Sequence, residues 1–173
     1  IFNVRRLNEW KGKLVGTKLN NLRKGITDGV SVIVPIMQDG GARDESWKWI
    51  REQYAKNHPD WEVVEGHLEP GTRWNKGRAI ANALEHASHH TLVIADSDCY
   101  IDPKALTEAV EKLRDEEVGW IIPHRLVHRL DQSSSREVME GHTLTYPSYE
   151  RKPYEGYAGG GMVVVDRSEY EAV

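Results

Sequence analysis

The hydrophobic positions of the chain alternate between short apolar runs and faces at helical spacing. The runs predict five buried strands, at Val30–Val34, Trp61–Val64, Thr91–Ala95, Val118–Ile122 and Met162–Val165. Between these runs, apolar residues at helical spacing predict helices over residues 44–57, over residues 75–86 and from Pro103 onward. Asp102 and Pro103 are typical of a helix start, with the aspartate as N-cap and the proline at the first helical position.

Strands that alternate with amphipathic helices indicate an α/β fold, in which a mostly parallel central sheet carries helices on both faces. In such doubly wound sheets, ligands bind at the carboxyl ends of the strands. Residues 128–156 show no clear period, and a structureless stretch of that length is uncommon, so we expect a functional or mobile loop there. The architecture alone does not define an activity.

Composition favours a globular protein. The 173 residues suffice for one domain, and 39% hydrophobic with 29% charged residues excludes a mainly disordered chain. The single cysteine, Cys99, excludes an internal disulfide framework and a multi-cysteine zinc site. No apolar run reaches the roughly 18 residues that a membrane helix needs. We therefore expect a cytoplasmic protein without a membrane span.

Charge is distributed unevenly along the chain. Residues 1–29 carry seven basic and two acidic side chains, which leaves a net charge of −9 for the remainder of a chain whose total is −4. Such a basic arm could contact nucleic acid, a membrane surface or an acidic partner, but charge runs are more often simply solvated. The sequence therefore predicts a basic lead-in over residues 1–29 and a folded domain over residues 30–173.

The clearest chemical motif is Asp96-Ser97-Asp98, at the end of the third predicted strand. Alternate residues of a strand share a face, so Asp96 and Asp98 converge if the extended geometry continues. Two carboxylates that leave coordination positions open suit Mg²⁺ or Mn²⁺ bound to a diphosphate. The alternative is an ordinary turn, because Asp and Ser are common where strands end. The adjacent Cys99 is expected to fill space rather than to act as a nucleophile.

The order of these segments resembles that of a GT-A glycosyltransferase, of family 2 in particular. The matching features are strands that end at Pro35 and Glu65, the Asn75-Lys-Gly-Arg helix start, the acidic motif and the late glycine segment from Gly159. The helix start and the glycine segment are also similar to those of galactosyl- and N-acetylgalactosaminyltransferases. The resemblance implies a nucleotide-sugar-binding and catalytic domain over residues 30–173, with a UDP-sugar as favoured donor and Mn²⁺ or Mg²⁺ as cofactor.

The resemblance also implies roles in donor binding. Pro35 and Ile36 would line the nucleotide pocket, and Glu65 would accept the ring N–H of the base, as a carboxylate can. Lys76 and Arg78, at the start of the second predicted helix, would contact the diphosphate or the base, helped by the preference of helix N-termini for anions. The alternative for these two cations is a solvated helix end.

The same resemblance assigns the acidic motif and the helix behind it. Asn82 would help to secure the acidic motif. Asp96 would face the ribose, or the metal through water, and Asp98 would be the direct metal ligand. Ser97, between them, is assigned to the donor site with its neighbours.

The late part of the chain carries the remaining assignments. Gly159 and Gly160 would let the backbone approach the donor sugar closely, unless the glycines form a hinge or bulge. His124 or His142 would be candidates for a third metal ligand, because some related enzymes use a late histidine. Inverting relatives place the catalytic base shortly after the glycine segment, so we expect the base beyond Val173.

Two other functions compete with this interpretation. A haloacid-dehalogenase-like phosphohydrolase would use Asp96 as nucleophile and Asp98 as acid, but Tyr100 stands where that superfamily has Thr or Val, and its later acidic metal motif is missing. A non-catalytic nucleotide-sugar-binding module is the third possibility, because function resides in sites rather than folds.

Overall fold

A computed structural model of the chain describes residues 27–115, 118–142, 149–155 and 161–172. Within these ranges the strands are β1 (Thr27–Pro35), β2 (Glu62–Gly66), β3 (His89–Ala95), β4 (Trp120–Ile121), β5 (Leu126–Leu130), β6 (Tyr149–Glu155) and β7 (Met162–Asp166). The helices are α1 (Ala42–Asn57), α2 (Lys76–Leu84), α3 (Pro103–Asp115), α4 (Gln132–Met139) and α5 (Arg167–Glu171).

The central sheet has five strands in the order β2-β1-β3-β7-β4. Strand β1 pairs in parallel with β2 and with β3, whereas β7 runs antiparallel to β3 and to β4. Four of the five strands therefore run in one direction. The predicted mostly parallel α/β sheet is confirmed, with β7 as its reversed member.

Helices cover both faces of this sheet, as the doubly wound prediction requires. Strand residues pack on one face against α1 and α3, whose buried apolar positions are Trp47, Ile50, Tyr54, Leu106, Ala109, Val110 and Leu113. On the other face, Ile33, Leu92 and Ile94 pack with Ile80 and Ala83 of α2. The carboxyl ends of β1, β2 and β3 therefore form one edge, which is open between the two helical layers.

Local sequence determines where the helices start. Asp102 Oδ1 accepts the backbone N–H groups of Lys104 at 2.9 Å and Ala105 at 3.1 Å, so the predicted N-cap of α3 is confirmed. Asn75 caps α2 in the same way, with its Oδ1 accepting the N–H of Arg78 at 3.0 Å.

The prediction of a loop over residues 128–156 is wrong for the residues described there. This region contains the end of β5, the helix α4 and the strand β6, and β5 pairs antiparallel with β6 in a separate two-stranded sheet. Helix α4 starts because Asp131 accepts the N–H of Ser134 at 2.9 Å. The helix was missed because its face is polar, and its one buried residue is Ser134.

The fourth predicted strand is shorter than expected, since β4 pairs with β7 over Trp120 and Ile121 alone. Helix α5, which follows β7, was not predicted, and it starts where Asp166 accepts the N–H of Ser168 at 2.8 Å. Among the residues that the structure describes, every helix is too short or too polar to cross a lipid bilayer.

Candidate active site

The acidic motif forms a tight turn immediately after β3. The backbone N–H of Asp96 donates to the carbonyl of Gly161 at 2.7 Å, and the N–H of Cys99 donates to the carbonyl of Asp96 at 3.1 Å. We call Asp96–Cys99 the acidic turn. Its side chains converge, with ligand atoms of Asp96, Asp98 and Cys99 all within 4.8 Å of one another. The two carboxylates therefore meet because the chain turns after β3, which is the turn that we gave as the alternative to a continued strand.

Glycine at position 161 allows this turn to pack against β7. Its φ of 90° lies in the left-handed region, and a Cβ there would stand 2.9 Å from the Cys99 sulfur. Ser97, in the middle of the turn, is buried. Gly161, the residue before β7, therefore packs against the turn. Asp98 is exposed to solvent.

The donor set of the acidic turn fits a hard divalent cation. Carboxylate oxygens are the ligands that Mg²⁺ and Mn²⁺ prefer, and Asp96 and Asp98 supply two of them. Burial, and then the negative charges of Asp98 and Asp96, raise the pKa of the Cys99 thiol to about 12, so this group stays a neutral thiol at physiological pH. The fit to a hard metal therefore depends on the two carboxylates.

Neither candidate for a third ligand is part of this group. Among the described residues, the His/Cys/Asp/Glu cluster at this edge comprises the acidic turn alone and includes neither His124 nor His142. His142 is exposed, and its Nδ1 lies 3.7 Å from a carboxylate oxygen of Glu140.

Two basic side chains contact the acidic turn. Lys76, the first residue of α2, forms an ion pair with Asp96. Arg43, in the first turn of α1, places its Nε 3.4 Å from Asp98 Oδ2. Lys76 was predicted at this edge, whereas Arg43 was not. Arg78 is exposed and lies two residues after Lys76, in the first turn of the same helix.

Glu65 lies next to this edge, near the end of β2, and its carboxylate has three partners. One oxygen accepts the indole N–H of Trp47 at 3.1 Å and lies 3.2 Å from the guanidinium of Arg51. The other oxygen lies 3.0 Å from His67 Nε2. A carboxylate has about four lone-pair sites, so one remains for a further donor. These contacts fix the orientation of Glu65.

Two of the predicted nucleotide-pocket residues, Ile36 and Glu65, line one cleft. The N–H of Ile36 donates to the carbonyl of Gly66 at 2.9 Å, and Pro35 pairs with Gly66 in the parallel ladder. The ends of β1 and β2 therefore lie side by side. Ile36 and Glu65 both line a cleft of about 550 Å³ beside α1, a volume typical of small-molecule sites.

Asn82 contacts the segment that follows β2, beside Glu65. Its side-chain amide donates to the carbonyl of His67 at 2.7 Å, which holds the residue that contacts Glu65. The role predicted for Asn82, to help secure the acidic motif, stays a prediction. Gly159 and Gly160 lie outside the described residues.

Sequence reasoning missed Arg43, Trp47, Arg51 and His67. Trp47 and Arg51 are four residues apart, so they lie on one side of α1, and this spacing was the available signal. That this side faces Glu65 follows from the packing of α1 on the sheet, which a helical period does not specify.

The fold and the acidic turn define a domain of the GT-A glycosyltransferase class. The family model described as Glycosyl transferase family 2 matches residues 20–168, most of the chain. The chain therefore belongs to this family, which confirms the resemblance and gives it glycosyltransferase activity in general. A comparison with curated proteins finds no match.

Proposed function

We propose that the chain transfers a hexosyl group from a nucleotide-diphosphate donor, with a UDP-sugar favoured, to an acceptor hydroxyl with the help of Mn²⁺ or Mg²⁺. The observation that carries this proposal is the convergence of Asp96 and Asp98, within 4.8 Å, at the carboxyl edge of the sheet. Ligands of doubly wound sheets bind at this edge. Family membership supports sugar transfer over the phosphohydrolase alternative.

In this reaction, the acceptor oxygen forms a bond to the anomeric carbon of the donor sugar. The bond from that carbon to the phosphate oxygen breaks, and the nucleoside diphosphate leaves with the electron pair. A general base takes up the proton of the acceptor hydroxyl. Asp96 and Asp98 would hold the divalent ion, which when bound neutralises charge on the leaving diphosphate. Lys76 and Arg78, at the N-terminus of α2, would contribute positive charge.

The nucleotide base of the donor would bind in the cleft beside α1. Glu65 keeps about one lone-pair site for the ring N–H of a base, and its other contacts hold the carboxylate in place. Pro35 ends the adjacent strand, and Ile36, which follows it, lines the same cleft. Both would contribute to the nucleotide pocket. Uracil N3–H matches this acceptor, and the ring N–H of guanine competes as an alternative.

Other assignments stay predictions. The roles of Asn82, Ser97, Gly159 and Gly160 toward the donor, the division into residues 1–29 and 30–173, and the cytoplasmic location rest on the sequence. They are part of the proposal, and the binding experiment described next also tests those that concern the donor.

The test is a thermal-shift panel of UDP-, GDP- and dTDP-sugars with and without Mn²⁺. Binding at a hundredfold excess over Kd stabilises a protein by about 2.7 kcal/mol, which such a panel detects. We expect the largest shift with a UDP-sugar plus Mn²⁺, and Asp98→Ala should abolish the Mn²⁺-dependent part while the fold is kept.

Glu108→Ala, which removes an exposed carboxylate of α3, is the matched control and should behave as the parent chain. The proposal fails if no nucleotide sugar shifts the transition, or if the shift is the same with and without Mn²⁺. Tight binding without transfer to any acceptor would instead select the non-catalytic module.

A further inference from the structure

Each carboxylate of the acidic turn is contacted by a cation from a different helix. Lys76 of α2 pairs with Asp96, and Arg43 of α1 lies 3.4 Å from Asp98. Because α1 packs on one face of the sheet and α2 on the other, the two cations reach the turn from opposite layers. The acidic turn thus lies between two basic side chains that come from different helices.

These ion pairs occupy the oxygens that a divalent cation needs. A carboxylate oxygen that accepts an ammonium or guanidinium has less capacity left for a metal. The exposed fractions are 47% and 32% for Lys76 and Asp96, and 37% and 45% for Arg43 and Asp98. Pairs this exposed are weak, so they exchange partners readily.

A diphosphate beside the turn would offer both cations another partner. Arg43 and Lys76 lie in the first turns of their helices, where the helix dipole favours an anion and disfavours a cation. Helix α2 has no acidic residue in its first turn to offset this. Phosphate oxygens would satisfy the cations and the helix N-terminus together, and would leave the carboxylates to the metal.

We propose that Arg43 and Lys76 exchange between the acidic turn and the diphosphate of the donor, and thereby couple metal binding to nucleotide binding. The inference rests on the proposed function and adds Arg43 as a positioning residue. Free metal competes with both cations and binds weakly. Nucleotide diphosphate removes the competitors, and by linkage the metal strengthens nucleotide binding by the same factor.

The test measures Mn²⁺ binding without nucleotide, by the electron paramagnetic resonance signal of free Mn²⁺. UDP binding at saturating Mn²⁺ is then measured by calorimetry. Removing one competing charge should tighten Mn²⁺ binding about two- to fivefold, the range for exposed ion pairs. Lys76→Met and Arg43→Met should each show this gain and should each bind UDP more weakly. A cation that served the diphosphate alone would leave Mn²⁺ binding unchanged, and a purely structural one would weaken both.

The matched control is Lys104→Met, which removes a lysine from the first turn of α3, where it lies 3.8 Å from Glu108. This variant should change neither the affinity for Mn²⁺ nor the affinity for UDP. Lys76→Gln is a second variant that keeps a polar end, and far-UV circular dichroism identifies any variant that has lost its fold.

Two results would overturn the inference. If the parent chain binds both Mn²⁺ and UDP, and both Met variants bind Mn²⁺ no more tightly than it does, the exchange is refuted while the proposed function stands. If the parent chain binds neither, both the exchange and the proposed function fail.

Discussion

The indole N–H of Trp47 donates to Glu65 Oε1 at 3.1 Å, and this hydrogen bond links α1 to the end of β2. Trp47 is buried, so the donor is held in one position. The contact fixes the carboxylate to which we assign the nucleotide base. It therefore offers a way to disturb base binding without touching the base.

Trp47→Phe should keep the apolar packing of the ring but remove the donor to Glu65. We expect the affinity for UDP in the presence of Mn²⁺ to fall by up to about fivefold, because a displaced Glu65 would lose its hydrogen bond to the nucleotide base, which contributes about 1 kcal/mol net. Calorimetric titration measures the change. Trp49→Phe on the same helix is the control, because Trp49 contacts Tyr100 through its ring. Equal UDP affinity in Trp47→Phe and the parent chain would contradict the assignment of Glu65.

The sequence predicted the central strands well because their information is local. Val30–Val34 and Thr91–Ala95 are continuous apolar runs, and such runs are buried on both faces of a sheet. The direction of β7 is not local. Its run Met162–Val165 was predicted as a strand, but its antiparallel pairing with β3 depends on the path of the chain through β5 and β6.

The candidate site divides in the same way. Asp96 and Asp98 were found because both lie in one motif at the end of one strand. The environment of Glu65 was not found, since Arg51 and Trp47 approach it from a helix 14 and 18 residues earlier in the chain. Contacts between separate elements depend on how a helix is rotated on the sheet, and hydrophobic spacing defines that rotation only coarsely.

Gly66→Ala should destabilise the fold. A Cβ at position 66 would stand 1.9 Å from the carbonyl oxygen of Ala79, so α2 would have to move away from β2. Overpacking of this kind costs about 1–3 kcal/mol. Urea denaturation measures the difference in the free energy of unfolding.

Gly77→Ala is the control for this substitution, because it places the same methyl group inside α2. There a Cβ meets its nearest neighbour, Asn75 Oδ1, at an ordinary 3.4 Å. Alanine in a helix is favoured over glycine by about 0.5–1 kcal/mol, so this variant should be slightly more stable. A Gly66→Ala chain as stable as the parent would show that α2 does not need this close approach.

Arg167→Met should destabilise the domain more strongly. The guanidinium of Arg167 is buried and donates to the carbonyls of Ala87 at 2.8 Å, His89 at 3.0 Å and Leu84 at 3.4 Å. Removing it takes this donor from one buried and two partly buried carbonyls, and we expect a loss of about 3 kcal/mol in the free energy of unfolding.

Arg167 also lies 3.4 Å from Glu171, one turn later on α5. Glu171→Gln tests that pair separately and should cost less than about 1 kcal/mol, because Glu171 is partly exposed. Chemical denaturation of both variants distinguishes the two contributions. If Glu171→Gln were the costlier change, the carbonyl hydrogen bonds of Arg167 would not be what anchors α5.

His58 should make stability depend on pH in mildly acidic solution. The imidazole is buried and stacks on Trp61, with ring centroids 3.9 Å apart, and burial lowers its pKa below the ordinary value of 6.5. His58 is therefore protonated near pH 6.5 in the unfolded chain, but only at lower pH in the folded chain. Stability is full above that pH and falls as the pH drops toward the folded-state pKa.

Thermal unfolding between pH 7.5 and pH 5 measures this slope. His58→Phe keeps an aromatic ring against Trp61 but cannot be protonated, so its transition temperature should fall less over the same interval. Glu62 contributes little to the pH dependence of stability above pH 5. Burial alone would raise its pKa, but hydrogen bonds from Ser31 and Ser88 outweigh burial and lower the pKa below 4.5, so its proton uptake lies at more acidic pH. Identical slopes for His58→Phe and the parent chain would mean that His58 takes up its proton equally easily in the folded and unfolded states.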